Sequence, residues 1–281
     1  MLIIKLENKY GELLDLTSNV NYVVKVAGLT PPPATINTTK VPTKDGVIFN
    51  SSSMDIRNIV LTIIPLQNIE NSRINLYKFI KSKQYIKLYF KNGARDVWID
   101  GYVEAIEGDL YENPQQLQVS IICADPFFKD NKNMVVDFSN VTNLFEFPFT
   151  LIEEGAQIST LTVFEETNIH NPSDDDCGAI FTLHANGLVL EPIIYNRTTN
   201  EQYMIRYELK DGDEIILNTK RGEKSLMLIS EGVQTNIINC IGKGSKWLNL
   251  LSGDNVIAYT CAHGAENLNI SVTLNPIYEG V

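Results

Sequence analysis

The chain has 281 residues, of which 44% are hydrophobic and 20% charged, a composition typical of a globular protein and unlike that of disordered, collagenous or coiled-coil chains. Acidic residues outnumber basic ones 34 to 23, and the formal net charge of −11 argues against an extended nucleic-acid surface, which needs clustered Lys and Arg. Apolar runs never exceed four residues, far short of the ~20 that a membrane-spanning helix needs.

The first half of the chain is dominated by a period-two alternation of apolar and polar residues, the pattern of a half-buried β-strand. The predicted strands of this half are 2–7, 21–27, 56–64, 85–91, 97–106 and 117–123. In the fifth of them, Val97, Ile99 and Val103 are expected on the buried face, and Trp98 and Tyr102 on the opposite one. Charged residues from Lys5 onward interrupt the apolar stretch that a signal peptide would need, so we expect synthesis in the cytosol.

One stretch between these strands has a different composition. Residues 31–44 are rich in Pro and Thr and predict an extended loop or arm, with an ordinary surface loop as the alternative. Asp45-Gly46 supports a turn directly after it, and Asn92-Gly93 predicts a tight hairpin turn further along.

Only residues 71–82 predict a helix. Apolar residues recur at spacings of three and four, with Leu76, Phe79 and Ile80 on the expected buried face. Lysines follow near the end, where they complement the helix dipole. Asn71 or Ser72 is the expected N-terminal cap.

The second half continues as strands and turns. Its predicted strands are 179–184, 187–195, 202–209, 213–218, 225–230, 236–241, 255–261 and 267–274. Asn186-Gly187 and Asp211-Gly212 predict turns between neighbouring strands. One helix among many strands predicts a mostly-β protein.

A domain boundary is expected near residue 150, between domains 1–150 and 151–281. The alternation is lost over 129–170, and residues 1–150 hold 15 basic and 16 acidic groups, whereas residues 151–281 hold 8 and 18. Aromatic residues concentrate near this boundary, where packing between subunits and packing between domains are equally open interpretations. These residues are Tyr102, Tyr111, Phe127, Phe128, Phe138, Phe145, Phe147 and Phe149.

No sequence pattern identifies a catalytic or metal site. The three histidines, His170, His184 and His263, are isolated, and the chain contains neither an H-E-x-x-H motif nor a G-x-S-x-G motif. The sequence therefore predicts no catalytic residue, no cofactor site, no metal ligand and no enzyme activity.

Four further segments resemble known chemical motifs, but each is better explained as an ordinary surface or loop segment. Asp174-Asp175-Asp176 has the carboxylates of a calcium site but not the ligand spacing of a calcium loop, which favours a solvated acidic turn. Residues 242–246 lack the order of a phosphate-binding loop and predict a connecting loop. The acid pairs Glu153-Glu154 and Glu165-Glu166 have no supporting cleft pattern and predict a solvated surface.

The four cysteines are far apart and form no C-x-x-C pair, so neither a zinc framework nor a disulfide scaffold is expected. We expect all of them to be buried thiols. They are Cys123, Cys177, Cys240 and Cys261.

Several segments, taken in order along the chain, form a recognisable set. In the first half these are 45–49, 57–63, the helix with Arg73, Leu76 and Phe79, 86–90, 98–104 and the strand that ends in Asp125-Pro126-Phe127-Phe128. In the second half they are 171–178, 192–196, 211–213, 251–256 and 278–281. Together they resemble the distal tail protein (Dit) family of long-tailed bacteriophages, a siphophage tail component. Residues 129–170 contribute little to the resemblance, and 171–174 match the turn of the family only approximately.

The resemblance implies a mostly-β fold with an N-terminal β-rich belt domain that contains one helix and a C-terminal galectin-like β-sandwich. It implies a structural virion protein that forms a homo-hexameric ring at the tail tip, made in the host cytoplasm. The ring would join the tail tube protein to the tail-associated baseplate hub protein, with receptor-binding or side-fibre proteins at its periphery. DNA would pass through it without sequence recognition, and no membrane insertion is implied. The resemblance assigns no interface at residue level.

Two other functions remain open. A lectin-like adsorption protein of the tail tip would stack an aromatic ring on a sugar, and Trp247, beside Lys246 and Asn249, is the candidate in the second half; a core position for Trp247 is the plain alternative. A peptidoglycan hydrolase is a third possibility, which the lack of a His and Cys constellation weakens.

Overall fold

The computed structural model describes residues 2–17, 22–43, 45–109, 111–138, 141–143, 159–161 and 166–281. The chain divides into two compact units, of which the first comprises residues 1–131 and 277–281 and the second residues 132–276. The predicted boundary near residue 150 lies outside the described residues and stays a prediction.

Strands make up most of both units, and the mostly-β fold class is confirmed. In the first unit the strands are β1 (Ile3–Asn8), β2 (Leu13–Asp15), β3 (Tyr22–Ala27), β4 (Ala34–Lys40), β5 (Val47–Met54), β6 (Arg57–Pro65), β7 (Tyr85–Lys91), β8 (Asp96–Glu107), β9 (Leu117–Cys123) and β10 (Phe128–Asp130), with helix α1 (Ile69–Phe79) between β6 and β7. The second unit contributes β11 (Met134–Phe138), β12 (Val141–Asn143), β13 (Ser159–Leu161), β14 (Glu166–Asn171), β15 (Cys177–Ala185), β16 (Val189–Leu190), β17 (Ile193–Asn196), β18 (Glu201–Met204), β19 (Glu208–Leu209), β20 (Glu214–Asn218), β21 (Ser225–Ser230), β22 (Val233–Asn236), β23 (Asn249–Leu250), β24 (Gly253–Thr260) and β25 (Leu268–Leu274). The last strand, β26 (Ile277–Tyr278), belongs to the first unit.

The first unit is built on one antiparallel sheet. Its strands run in the order β2-β1-β7-β8-β9-β6-β3, and β10 pairs with both β8 and β26. Alternation sets the face that is buried: Val97, Ile99 and Val103 are buried as predicted, while Tyr102 on the same strand is exposed. The period of two therefore predicted both the strand and its orientation.

Helix α1 covers one end of the core of the first unit with Leu76, which is buried. The helix begins before the predicted range, at Ile69, and its N-cap is Asn68 in a left-handed conformation without a side-chain hydrogen bond. The predicted cap is thus wrong: the Ser72 hydroxyl lies inside the helix and donates to the Gln67 carbonyl oxygen at 2.8 Å. Sequence patterns for helix caps rely on a side-chain oxygen that accepts a hydrogen bond from the first turn. Asn68 makes no such bond, so these patterns could not locate the start of α1.

The second unit is a sandwich of two antiparallel sheets. One sheet runs β11-β25-β15-β20-β21-β22 and the other β14-β24-β17-β18. The rings of Phe138 on β11 and Tyr259 on β24 meet edge to face at 5.9 Å, so the two sheets bury their apolar faces against each other.

The predicted elements of the second unit differ from the structure in three places. Glu191, with φ of 47°, splits the predicted strand 187–195 into β16 and β17. The predicted strand 202–209 is likewise two strands, β18 and β19. The prediction at 236–241 is wrong, because β22 ends at Asn236 and a 3-10 turn follows over Ile238–Cys240.

A buried asparagine shapes one end of the sandwich. The Asn171 side-chain amide donates to the carbonyl oxygens of Leu250 and Leu251 at 3.0 and 3.2 Å, and its oxygen accepts from the Ser173 N–H at 3.0 Å. Side chains of this kind satisfy main-chain groups that a loop buries away from water.

Replacing this asparagine should lower the stability of the second unit. We expect Asn171→Ala to reduce the free energy of unfolding by about 3 kcal/mol, because it leaves buried polar groups without partners. Urea unfolding followed by fluorescence measures the change. Asn168→Ala on the same strand is the control, since Asn168 is exposed and should change stability by less than about 0.5 kcal/mol. Equal losses for the two variants would contradict the assigned role.

The cysteines are free thiols, and two of the four are buried as expected, Cys123 and Cys177. Cys240 and Cys261 are only partly buried, so the expectation of burial is wrong for them. Cys240 lies in the 3-10 turn that replaces the predicted strand. Among the described residues, no helix is long and apolar enough to cross a membrane.

Because the Cys123 thiol is buried, the stability of the first unit should depend on pH in the alkaline range. Burial raises the pKa of the Cys123 thiol from 9.0 to about 12. Above pH 9.0 the unfolded chain loses this proton while the folded chain keeps it, so stability falls as the pH rises from 9.0 towards 12. Urea midpoints measured from pH 8 to 10.5 should fall less steeply for Cys123→Val than for the unchanged chain, and parallel curves would contradict the prediction.

Candidate assembly interface

The most exposed element of the first unit is a two-stranded hairpin, β4 and β5, which forms a sheet of its own. We call residues 34–54 the arm. Its described side chains are exposed except those of Val41 and Met54, which are half-buried. The first strand of the arm, β4, lies in the Pro- and Thr-rich stretch 31–44 that the sequence predicted to be an extended loop or arm, whereas β5 follows it. Asp45-Gly46 lies between the two strands as predicted.

One exposed face of the arm carries most of its apolar side chains, together with Thr38, Lys40 and Ser52. Cross-strand pairs point to the same side of a hairpin, and the register pairs Ile36 with Ser52, Thr38 with Phe49 and Lys40 with Val47. A register shift after Asn37 keeps these residues on one side. We call the set formed by Ala34, Ile36, Val47, Phe49 and Met54 the apolar arm face.

The exposure of this face is large. Ile36 is 56% exposed, Val47 60% and Phe49 61%. The opposite face carries Thr, Asn and Ser side chains, and Ile48 is its large apolar member at 56% exposure. Exposed apolar side chains gathered on one side of a hairpin are typical of a surface that another protein covers.

The base of the arm is tightly built. We call residues 28–33 and 55–58 the arm root. Gly28 has φ of +88°, and a Cβ there would lie 2.2 Å from the Asn58 carbonyl oxygen. The Asp55 N–H donates to the Pro33 carbonyl oxygen at 3.4 Å, and the Thr35 hydroxyl donates to the Asp55 carboxylate at 2.9 Å. The two segments of the arm root are therefore in direct contact.

The outward face of the main sheet carries aromatic rings and charges. The Lys87 ammonium lies 3.8 Å from the ring centre of Trp98, and the Lys129 ammonium lies 4.9 Å from it. The Tyr89 hydroxyl donates to the Glu7 carboxylate at 2.5 Å, and burial together with this bond raises the pKa of Tyr89. These contacts pair the charged and aromatic side chains of the outward face within the chain.

The structure does not bring the three histidines together into a catalytic arrangement. His170 is exposed and its Nδ1 lies 2.7 Å from the Asp254 carboxylate. His184 lies on β15 and pairs with Glu214 and Asn269 of the neighbouring strands. His263 lies in a loop and pairs with Leu190 through an isolated bridge.

The weaker chemical candidates have structural partners or lie outside the described residues. The Asp176 carboxylate accepts the Ser252 N–H at 3.1 Å, and the Ser245 hydroxyl donates to the Gly242 carbonyl oxygen at 2.8 Å, which closes the 242–246 loop. Glu166 is paired with Arg197 at 3.0 Å. Positions 153, 154 and 165 of the acid pairs are outside the described residues. Within the described ranges, no three His, Cys, Asp or Glu side chains are grouped to hold a metal ion.

The aromatic residues near the predicted boundary do not form one set. Tyr102 and Tyr111 are exposed, whereas Phe127 and Phe128 are buried in the first unit and Phe138 is buried in the second. Positions 145, 147 and 149 lie outside the described residues.

The sugar-stacking candidate, Trp247, is half-buried and packs on another aromatic ring. Its ring centre lies 5.3 Å from that of Tyr203, which is fully buried, and 5.6 Å from the Lys224 ammonium. Packing on the core was the plain alternative for this residue, and sugar binding by the second unit stays a prediction.

Comparison with known proteins shows that the fold is similar to that of phage tail proteins. Residues 12–139 match the family described as the phage tail protein RIFT-related domain. The chain has the fold of the Dit protein of phage SPP1, with a TM-score of 0.70 at 10% sequence identity over 98% of both chains. A chain of the phage P2 baseplate in its activated, calcium-containing conformation aligns with a TM-score of 0.50 at 9% identity, over 97% of this chain and 98% of that one. No curated protein sequence matches the chain. The predicted resemblance to distal tail proteins is confirmed.

Proposed function

Because residues 12–139 match the phage tail RIFT-related domain and the whole chain has the fold of a distal tail protein, we propose that it is a structural component of a siphophage tail tip. In this role it forms a hexameric ring that joins the tail tube to the baseplate hub and the adsorption apparatus. The SPP1 protein of the same fold is a paradigm of the hub adsorption apparatus in Gram-positive-infecting phages.

The observation that carries the proposal is the apolar arm face. A single chain leaves this face in water, although Ile36, Val47 and Phe49 together offer an apolar surface that favours association. A projecting arm that docks on the next copy makes the same head-to-tail contact at every step. Such contacts close into a ring when a whole number of equal rotations between neighbouring copies makes one full turn. Six copies then form a hexamer.

The distribution of charge supports the same assignment. The first unit holds 14 basic and 15 acidic residues, while the second holds 9 and 19. A nearly neutral unit packs against its own copies without strong repulsion, and a unit with a net charge of −10 favours solvent. We therefore assign ring formation to the first unit and a solvent-exposed surface to the second.

The role in the tail is structural, with no catalytic step assigned to any residue. DNA transit through a ring needs no affinity for DNA, which agrees with a net charge of −11. The tail tube protein, the hub protein and the receptor-binding or side-fibre proteins are the proposed partners.

The position in the virion is tested on phage particles that contain the chain. Gold-labelled antibodies against the second unit should mark the tail tip in electron micrographs of intact virions. Gold label on the capsid or along the tail tube would contradict the proposal. So would the absence of gold label from particles in which a second antibody detects the tube protein.

A further inference from the structure

The first unit is completed by residues 277–281, which follow the whole second unit in sequence. We call residues 277–281 the return segment. Strand β26 pairs with β10, with Tyr278 opposite Phe128 and Ile277 opposite Lys129. The Val281 N–H donates to the Leu29 carbonyl oxygen at 3.1 Å, in the arm root. The return segment thus contacts both the sheet and the base of the arm.

One buried side chain connects the return segment to the arm root. Arg57 is 2% exposed, and its guanidinium donates to four main-chain carbonyl oxygens. The acceptors are Gly28 at 2.6 Å, Thr30 at 2.7 Å, Pro126 at 2.7 Å and Glu279 at 2.5 Å. The guanidinium also lies over the Phe128 ring at 4.5 Å.

The position of Arg57 in the chain gives these contacts their meaning. Arg57 is the first residue of β6, shortly after the arm ends, and Gly28 and Thr30 lie just before the arm begins. The Arg57 guanidinium therefore connects the 55–58 segment of the arm root to the 28–33 segment and to the return segment. The rigid, planar guanidinium points its N–H donors in fixed directions, so it fixes the relative positions of the two arm-root segments and the return segment. A lysine ammonium, on a flexible stem, cannot do this.

Two other contacts hold the return segment in place. The Arg95 guanidinium donates to the Gly280 carbonyl oxygen and lies 4.3 Å from the ring centre of Tyr278. Gly280 is close to the arm root, where an added Cβ would lie 3.2 Å from the Leu29 carbonyl oxygen and 3.3 Å from Pro31. The return segment therefore packs against the 28–33 side of the root.

The Asp-Pro-aromatic stretch that ends β9 has a role in this arrangement. Pro126 supplies one of the four carbonyl oxygens and Phe128 supplies the ring beneath the guanidinium. Burying a charged group is tolerated only when its donors are satisfied. If the return segment is absent, the Arg57 Nη2 loses its Glu279 acceptor and the Leu29 carbonyl oxygen loses its Val281 donor.

We propose that docking of the return segment onto Arg57 fixes the arm root, and that the first unit becomes competent to assemble only after this docking. Synthesis of residues 277–281 follows that of the entire second unit, so a partly made chain cannot present a fixed arm to other copies. The link to assembly rests on the proposed ring function, whereas the fixing of the arm root does not.

The test compares three variants with the full chain. The first ends after Pro276, the second is Arg57→Lys, and the third is Arg73→Met, a control in the first unit whose guanidinium bonds to Gln115 instead. Hydrogen exchange is measured for the arm-root amides of residues 28–30 and 55–58 in a background carrying Ile36→Ser and Phe49→Ser, so that ring contacts do not protect these amides. Light scattering measures assembly without that background.

We expect exchange at the arm root to rise about tenfold or more in the first two variants and to stay unchanged in Arg73→Met. Exchange in the second unit should not change in any variant, which shows that the shortened chain still folds there. The first two variants should remain monomers at concentrations at which the full chain and Arg73→Met form rings. A synthetic peptide of residues 276–281, added in excess, should restore protection to the shortened chain.

Two results would overturn the inference: unchanged exchange at the arm root, or rings formed by the shortened chain as readily as by the full chain. If the full chain itself forms no rings, the proposed ring function fails, and the exchange measurement alone decides whether the return segment fixes the arm root.

Discussion

Replacing Ile36 and Phe49 together by serine should convert the ring into monomers that remain folded. Both side chains are more than half exposed in the single chain, so their removal costs the folded monomer little. Covering them in a subunit contact would stabilise each contact by about 1.5–3 kcal/mol per side chain. Losing both weakens each contact by a factor of about 10²–10⁴. Sedimentation velocity at micromolar concentration measures the result.

The chain contains a matched control for this double substitution. Ile48 is 56% exposed, like Ile36, but lies on the polar face of the arm. Ile48→Ser removes a comparable apolar area from the same hairpin and should leave the ring intact. Dissociation by Ile48→Ser to the same extent, or rings formed normally by the double variant, would contradict the assignment of the apolar arm face.

Gly28→Ala should strongly destabilise the first unit, since two effects act at that position. The residue has φ of +88°, and an added Cβ would lie 2.2 Å from the Asn58 carbonyl oxygen. The left-handed conformation costs alanine about 1–2 kcal/mol, and shifting main chain to relieve the contact adds about 1–3 kcal/mol. Urea unfolding should show the summed loss for the first unit.

Gly11→Ala separates the two contributions. Gly11 also has a left-handed conformation, with φ of +79°, but nothing lies within 4 Å of an added Cβ. This variant should show only the conformational cost of about 1–2 kcal/mol. If Gly28→Ala cost no more than Gly11→Ala, the close contact in the arm root would not constrain the fold.

The elements that the sequence predicted best are those in which burial alternates. Val119, Ile121 and Cys123 on β9 are buried as predicted, because one face of that strand meets the core and the other does not. Pro and Thr content predicted an extended loop or arm over 31–44, which includes β4 but not β5, and it predicted neither strand. Neither of its faces meets the core, so the exposed apolar residues carried no sign of which side they share.

The return segment shows a different limit. The resemblance placed residues 278–281 in the second domain, whereas the structure pairs Tyr278 with Phe128 in the sheet of the first unit. Arg57 reaches Glu279 across 222 positions of sequence. Periodicity describes local order, and a contact at that separation depends on how both units fold, so no local pattern could reveal it.

The candidate interface was only partly predictable for the same reason. The sequence assigned no contact residue, and the apolar arm face depends on a register shift after Asn37 that determines which residues of β5 lie beside those of β4. A shift of one position would distribute the apolar side chains over both faces. Hairpin register is a property of the folded pair, which composition does not specify.

Native mass spectrometry of the purified full chain tests the central claim most directly. Six copies of a 31.6 kDa chain have a mass of about 190 kDa, and this closed species should dominate at micromolar concentration. It should be lost in the variant that carries serine at positions 36 and 49. A monomer as the dominant species of the unchanged chain, or a hexamer that survives the double substitution, would contradict the account.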